Sequence, residues 1–320
     1  MTNDNFKKLM LQWNSALESY GTPGDFADKS YIELLISDDE SKIPIRKLVA
    51  GGYAIRGELM EIQRNNSDRR KKENSLERWT NDGSSCFLCD NTGQAKDIGD
   101  NLLLPFDTFE DYVLVPNRYP MARGHLLLCA KEHDLTGFDN STLTPGLFEI
   151  IVKVAEDYNL SLERNNSKAG MSIPDHEHIH YHPRFLRSSV NQININGLIN
   201  CTLQKTDFGN DVYSILETDF DTLAFKGEQS IGKVHDIATK FEGDDIIFTF
   251  SYDPSSLFNS DGTFFMTPHK KQDDKGRIAA NTPLYFKIVR EDDKTTYDEF
   301  MELHKEHIFS NGSFDWGKYF

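Results

Sequence analysis

GMSIPDHEHIHYHPR, residues 170–184, places His176, His178, His180 and His182 at every second position, with Glu177, Ile179 and Tyr181 between them. Period-two spacing on an extended chain turns all four imidazoles to one face and the intervening residues to the other. A row of imidazoles is poor packing material, because each ring must hydrogen-bond, hold a metal or meet water. The stretch therefore predicts a strand with a working face. One imidazole can ligate an ion, the next can act as nucleophile, and a third can meet a leaving group or phosphate oxygens. A purely metal-binding strand is the weaker reading. The loop ahead of it, NNSKAGMSIPD (165–175), suits phosphate: Gly170 and Ser172 offer backbone N–H groups and a hydroxyl, while Asn165 and Lys168 add polar reach.

Upstream, DYVLVPN (111–117) and HLLLCAK (125–131) read as two short strands joined by the loop 118–124. Thr144-Pro145 opens a helix as cap and first-turn proline. Leu147, Ile150, Ile151, Val154 and Tyr158 give that helix one apolar face through about residue 162. Downstream, VYSILE (212–217) and IIFTFSY (246–252) read as strands around a helix over 228–241. FFMTPHKK (264–271) resembles the strand and basic end of LLLCAKEH (126–133). The texture of roughly 100–190 thus recurs over 195–290 as a loose internal repeat. Residues 1–80 read as a polar, helical arm that includes the basic run 64–78, and 296–309 as a surface helix with His304 and His307 facing solvent.

Cys86-Phe87-Leu88-Cys89 is half of a tetrahedral site, since thiolates two residues apart can point at one ion from a tight turn. Alone, the pair could equally be a redox couple or two inert thiols. His133 lies 44 residues beyond Cys89, and His176 lies 43 beyond that. Together the four form a Cys₂His₂ candidate for zinc that would tie the end of the arm, the central strand and the histidine row together. Cys129 and Cys201 lie in apolar runs and read as core.

The chain has 320 residues, a length of about two domains or one large one. Its net charge of −16 argues against a general nucleic-acid binder, which would show a basic face. Small anionic ligands stay open, because pocket charge and net charge are separate quantities. No apolar run approaches the roughly 18 residues of a membrane helix, and the N-terminus lacks a secretory apolar segment. A soluble, acidic, cytoplasmic protein is expected, bound neither to nucleic acid nor to membrane.

At this point the residues resemble the histidine-triad (HIT) superfamily, and within it the branch of galactose-1-phosphate uridylyltransferase-like and dinucleoside polyphosphate phosphorylase-like proteins. RYPMARGHLLLCAKEH (118–133) looks like the strand-loop-strand ahead of the triad. GMSIPDHEHIH (170–180) is similar to the G-x-S-x-P-D-H-x-H-φ-Q of phosphorylase-like members, and CFLC (86–89) to the zinc-binding C-x-x-C of the uridylyltransferase. The resemblance covers roughly 60–190 well and the second half in outline.

It implies an α+β fold of two HIT-like repeats, with antiparallel sheets packed by helices, plus an N-terminal helical arm. The segments would be the arm at 1–80, a catalytic repeat with the zinc site at 81–190, and a degenerate repeat with a C-terminal helix at 191–320. It also implies a structural Zn²⁺ on Cys86, Cys89, His133 and His176. His178 takes the place of the nucleophile that becomes nucleotidylated. Gly170 and Ser172 would contact the α-phosphate, and Asn165 would help place the nucleotide. Apart from the resemblance, the basic residues Arg184, Arg187, Lys270 and Lys271 could supply a charge clamp, though each alone reads more readily as a surface residue. The substrate is then a nucleotide or nucleotide sugar, phosphate or a sugar phosphate is the acceptor, and a homodimer is compatible with this branch. One position departs: the transferase and phosphorylase members have Gln two residues after the nucleophile, and here His180 stands there. A histidine can protonate a leaving group, as in the hydrolase members, so water is the alternative acceptor. The register His178/His180/His182 is a second possible triad. A zinc-stabilised nucleotide-binding module without turnover is the non-enzymatic alternative.

Overall fold

The computed structural model describes residues 9, 11–13, 45–47, 53–55, 88, 111–116, 124–131, 144–164, 176–183, 185–187, 192–194, 202–216, 221–227, 230–242, 244, 246–254, 262–270 and 309–320. In chain order the strands are β1 (Ile45–Lys47), β2 (Tyr53–Ile55), β3 (Tyr112–Pro116), β4 (Leu126–Ala130), β5 (Leu160–Arg164), β6 (His178–Pro183), β7 (Phe185–Arg187), β8 (Gln192–Asn194), β9 (Leu203–Lys205), β10 (Val212–Ile215), β11 (Leu223–Lys226), β12 (Ile246–Asp253) and β13 (Thr263–Lys270). Helix α1 (Pro145–Tyr158) lies between β4 and β5, and helix α2 (Ser230–Glu242) between β11 and β12. Nine strands form one antiparallel sheet in the order β3-β4-β6-β5-β12-β13-β11-β10-β9. The succession strand, strand, helix, strand, strand runs over β3 to β6 and again over β10 to β13.

Local chemistry sets the boundaries. Thr144 Oγ1 accepts the Leu147 N–H at 3.2 Å and Pro145 opens α1. The helix stops at Tyr158, short of the expected residue 162, because Asn159 turns left-handed at φ 53° and Leu160 starts a strand whose five residues are all buried. In α2, Val234, Ile237, Ala238 and Phe241 recur at helical spacing and are buried. Within the expected helical arm at 1–80, β1 and β2 form an antiparallel hairpin. In sequence, Ile45 and Ile55 flank a Gly51-Gly52 turn signal that helical spacing could not accommodate. Earlier in the arm, residue 9 and residues 11–13 are helical, and Leu9 and Trp13 join the main core. The FFMTPHKK run forms β13, next to β12, whereas in the second succession the place of β4 is held by β11. The helix expected over 296–309 lies outside the described residues except for Phe309, which is not helical.

Both helices cover one face of the sheet. Phe148 of α1 stacks on Phe250 with ring centroids 5.4 Å apart, and Phe241 of α2 meets Phe248 at 5.9 Å. Tyr181 donates its hydroxyl to the Ile151 carbonyl at 3.0 Å. The C-terminal segment closes over α2: Tyr319 packs edge-on against Phe241 at 4.5 Å, and Lys240 donates to the Tyr319 carbonyl at 2.7 Å. No helix among the described residues is long and apolar enough to cross a membrane.

Candidate functional site: a histidine face on the sheet

Strand register decides what shares a face. His178 lies opposite Cys129, and His180 lies opposite Leu127 on one side and Glu163 on the other. His182 pairs with Ser161, Glu163 with Ser251, and Thr249 with Thr267. Directly opposed residues point the same way. The row His178, His180, His182 therefore stands on the face away from α1 and α2, in line with Ser161, Glu163, Thr249, Ser251 and Thr267. All of these are buried except His180, which is half-buried. Of the four imidazoles expected on one face, His178, His180 and His182 share this one, and His176 lies ahead of β6.

One residue joins the row that sequence reading did not single out. Gly124 adopts φ 74°, a left-handed turn that admits glycine readily, and hands the chain to His125 at the mouth of β4. One step beyond the Leu126↔Tyr181 pair, His125 falls opposite His182. Its Nε2 sits 2.9 Å from Nδ1 of His180, and its ring centroid is 4.2 Å from that of His182. The ligand nitrogens of His125, His180 and His182 all lie within 4.8 Å of one another. Trp13 secures this corner, donating its indole N–H to the His125 carbonyl at 3.1 Å.

Two rings of the row have their tautomers set by backbone carbonyls, which only accept. His176 donates from Nε2 to Ala130 O at 2.8 Å, which leaves its lone pair on Nδ1. His178 donates from Nδ1 to His176 O at 2.8 Å, which leaves its lone pair on Nε2. An imidazole with one nitrogen donating to a carbonyl is also how proteins orient a metal-binding histidine. His176 thus fits the implied zinc set; Cys86, Cys89 and His133 lie outside the described residues. So do Asn165, Lys168, Gly170, Ser172 and Arg184. Lys270, at the basic end of β13, is exposed and sits over the Phe309 ring at 5.3 Å.

The row is electrostatically neutral. Burial lowers His178 to about 4 and His182 to about 3. Burial, and then the neighbouring imidazoles, push His125 and His180 well below the ordinary histidine value. On the opposite face of the same strands, Glu177 accepts from Arg164 at 3.1 Å and from the Tyr112 hydroxyl at 2.9 Å. Burial first, and then the Glu177 charge, raise the Tyr112 hydroxyl above its ordinary value, so it stays a donor. Ala130 N–H donates to Glu177 O at 3.0 Å. This strap crosses β3, β4 and β5 beneath His176 and His178. The alternation that places the histidines on one face puts Glu177 on the other, the one signal in the sequence that could have located it.

The arrangement can hold a neutral imidazole nucleophile, an imidazole proton carrier beside it and a partner for that carrier. No family model and no curated protein matches the chain. Among solved structures it is similar to yeast Ap4A phosphorylase Apa2 in complex with AMP, at 12% identity and a TM-score of 0.48, covering 98% of this chain and 99% of that one. The same enzyme without that ligand gives 12%, 0.48, 98% and 97%; in complex with Ap4A it gives 13%, 0.45, 97% and 99%. A likeness of this depth does not say what this chain binds.

Proposed function

We propose that the protein is a nucleotidyltransferase or phosphorylase of the HIT kind, acting on a dinucleoside polyphosphate or nucleoside diphosphate sugar through a nucleotidyl-His178 intermediate. The observation that carries this reading is the Nδ1–H of His178 held on the His176 carbonyl. It fixes the lone pair on Nε2, and the depressed pKa keeps that ring unprotonated at neutral pH. Nε2 attacks the α-phosphorus, the phosphoanhydride bond breaks, and the leaving phosphate takes a proton as it departs. The acceptor then displaces the imidazole and the nucleotidyl group moves on. His180 is the proton carrier of the row, with its ring centroid 5.2 Å from that of His178.

Gly170, Ser172, Asn165, Lys168 and Arg184 supply phosphate and nucleotide contacts in this reading. Cys86, Cys89, His133 and His176 would hold a structural zinc. We read β3 to β6 and β10 to β13 as two HIT-like repeats because they share one element order. The segments are the arm at 1–80, the catalytic repeat at 81–190 and the degenerate repeat at 191–320, in a cytoplasmic protein that a homodimer would suit.

The test is incubation with α-labelled dinucleoside polyphosphates and nucleotide sugars, acid quench, and mapping of the acid-labile adduct. Label on His178, with loss of label and turnover in His178→Ala, supports the mechanism; turnover that survives His178→Ala sinks it. Hydrolysis is the second reading, favoured by the histidine at 180. A rate independent of added phosphate and sugar phosphates would assign water as the acceptor.

A further inference from the structure

His125, His180 and His182 come from two strands and converge on one point of the histidine face. Two imidazole nitrogens bound to one tetrahedral ion at about 2.0–2.1 Å stand about 3.3 Å apart. The His125 Nε2–His180 Nδ1 separation is 2.9 Å, and all three ligand nitrogens fall within 4.8 Å. Closing that triangle around an ion takes side-chain rotations of a few tenths of an ångström to about 1.5 Å, with the backbone held by strand pairing on both sides of β6. Hydrogen bonding already requires one of the two close nitrogens to carry a proton and the other a lone pair.

We infer that His125, His180 and His182 form a second metal site, an all-imidazole site for a first-row divalent transition ion such as Zn²⁺ or Co²⁺. Imidazole suits this class of ion, whereas Mg²⁺ and Ca²⁺ prefer oxygen. Three protein ligands leave one tetrahedral position open. Neutral imidazoles need release no proton to bind. The ring that donates in the His125–His180 contact moves its proton to its other nitrogen, and three lone pairs then meet the ion. This site shares no ligand with the Cys86/Cys89/His133/His176 set, and it mixes no sulfur with nitrogen.

A consequence follows for the transfer reaction, and it rests on that reading: an ion here occupies the lone pair through which His180 moves its proton. Nucleotidyl transfer is slowed while the ion is bound.

The experiment uses the full chain, stripped with a chelator and titrated with Co²⁺ while the visible spectrum is followed. A Co²⁺ bound through nitrogen alone gives d–d bands without the near-ultraviolet thiolate-to-cobalt band that the cysteine set would add. Expected is one nitrogen-only equivalent in the wild-type chain, weakened at least about tenfold in His125→Ala and in His182→Ala. It is retained in His178→Ala. Circular dichroism checks the fold of each variant. Absence of a nitrogen-only equivalent in the folded wild-type chain overturns the site without any variant, and so does one that survives both His125→Ala and His182→Ala. Binding is read without turnover, so a missing His178 adduct would sink the transfer mechanism and leave this site standing, and the converse holds.

Discussion

His176 and His178, two residues apart, carry their ring protons on opposite nitrogens. His176 donates from Nε2 to Ala130 O at 2.8 Å, and His178 donates from Nδ1 to the carbonyl of His176 itself at 2.8 Å. The first lone pair is on Nδ1 and the second on Nε2. The same residue type thus presents two different faces of its chemistry, and neighbouring backbone carbonyls decide which.

That difference predicts unequal substitution effects. His178→Ala should lower turnover on a nucleotide substrate by at least about 10³-fold, because the proposed mechanism then loses its covalent nucleophile. His178→Gln should be equally inactive, since an amide is no nucleophile. His180→Gln should retain the adduct and lose about 10²-fold or more, the usual worth of a positioned proton donor. Single-turnover kinetics with labelled nucleotide separates the cases.

The strap beneath the row should matter for stability. Arg164 and Glu177 form a buried ion pair at 3.1 Å. Glu177→Ala takes this carboxylate away from the buried Arg164 guanidinium and should cost about 3–5 kcal/mol. The double change Arg164→Met, Glu177→Leu removes both charges and should recover much of that loss. Urea unfolding of the wild-type chain and these two variants measures it.

Acid should destabilise the fold in a defined window. His178 and His182 are neutral when buried, lowered to about 4 and about 3, while an unfolded histidine titrates near 6.5. Between those values the unfolded chain binds protons that the folded chain does not. Their contribution is therefore fully present above about pH 6.5 and is lost as pH falls through about 4 and then about 3. Thermal unfolding from pH 8 to 4 should show Tm falling below 6.5, with a shallower slope in His182→Gln.

Gly124 should tolerate no side chain cheaply. At φ 74°, an alanine costs about 1–2 kcal/mol. The strain falls on the residue that aims His125. Gly124→Ala should lower Tm by several degrees, as a loss of this size does, and shift the NMR resonance of the His125 ring.

Much of the scaffold was legible in the sequence. The runs at 111–117, 125–131, 212–217 and 246–252 become β3, β4, β10 and β12, because short apolar runs bounded by turn residues have few other solutions. The histidine row was legible for the same reason, since alternation fixes the face whatever the tertiary context. His125 was not. A single histidine before LLLCA reads as a strand start, and only the antiparallel register of β4 with β6 brings it to His180. Glu177 was hidden too, for a lone carboxylate among histidines carries no sign of the arginine 13 residues upstream that partners it. The β1–β2 hairpin was missed because three-residue strands are too short for periodicity to register. The thiolates at 86 and 89, His133, the phosphate loop at 165–175 and Arg184 lie outside the described residues.

The pairing of β5 with β12, through Leu162↔Tyr252, Glu163↔Ser251 and Arg164↔Phe250, has a consequence for how the molecule comes apart. The two successions of strands meet along a ladder of backbone hydrogen bonds and share one core. Neither can melt without stripping partners from the other's boundary strand, so the sheet should unfold as one cooperative unit. A proteolytic nick between the halves would leave them bound as a non-covalent pair.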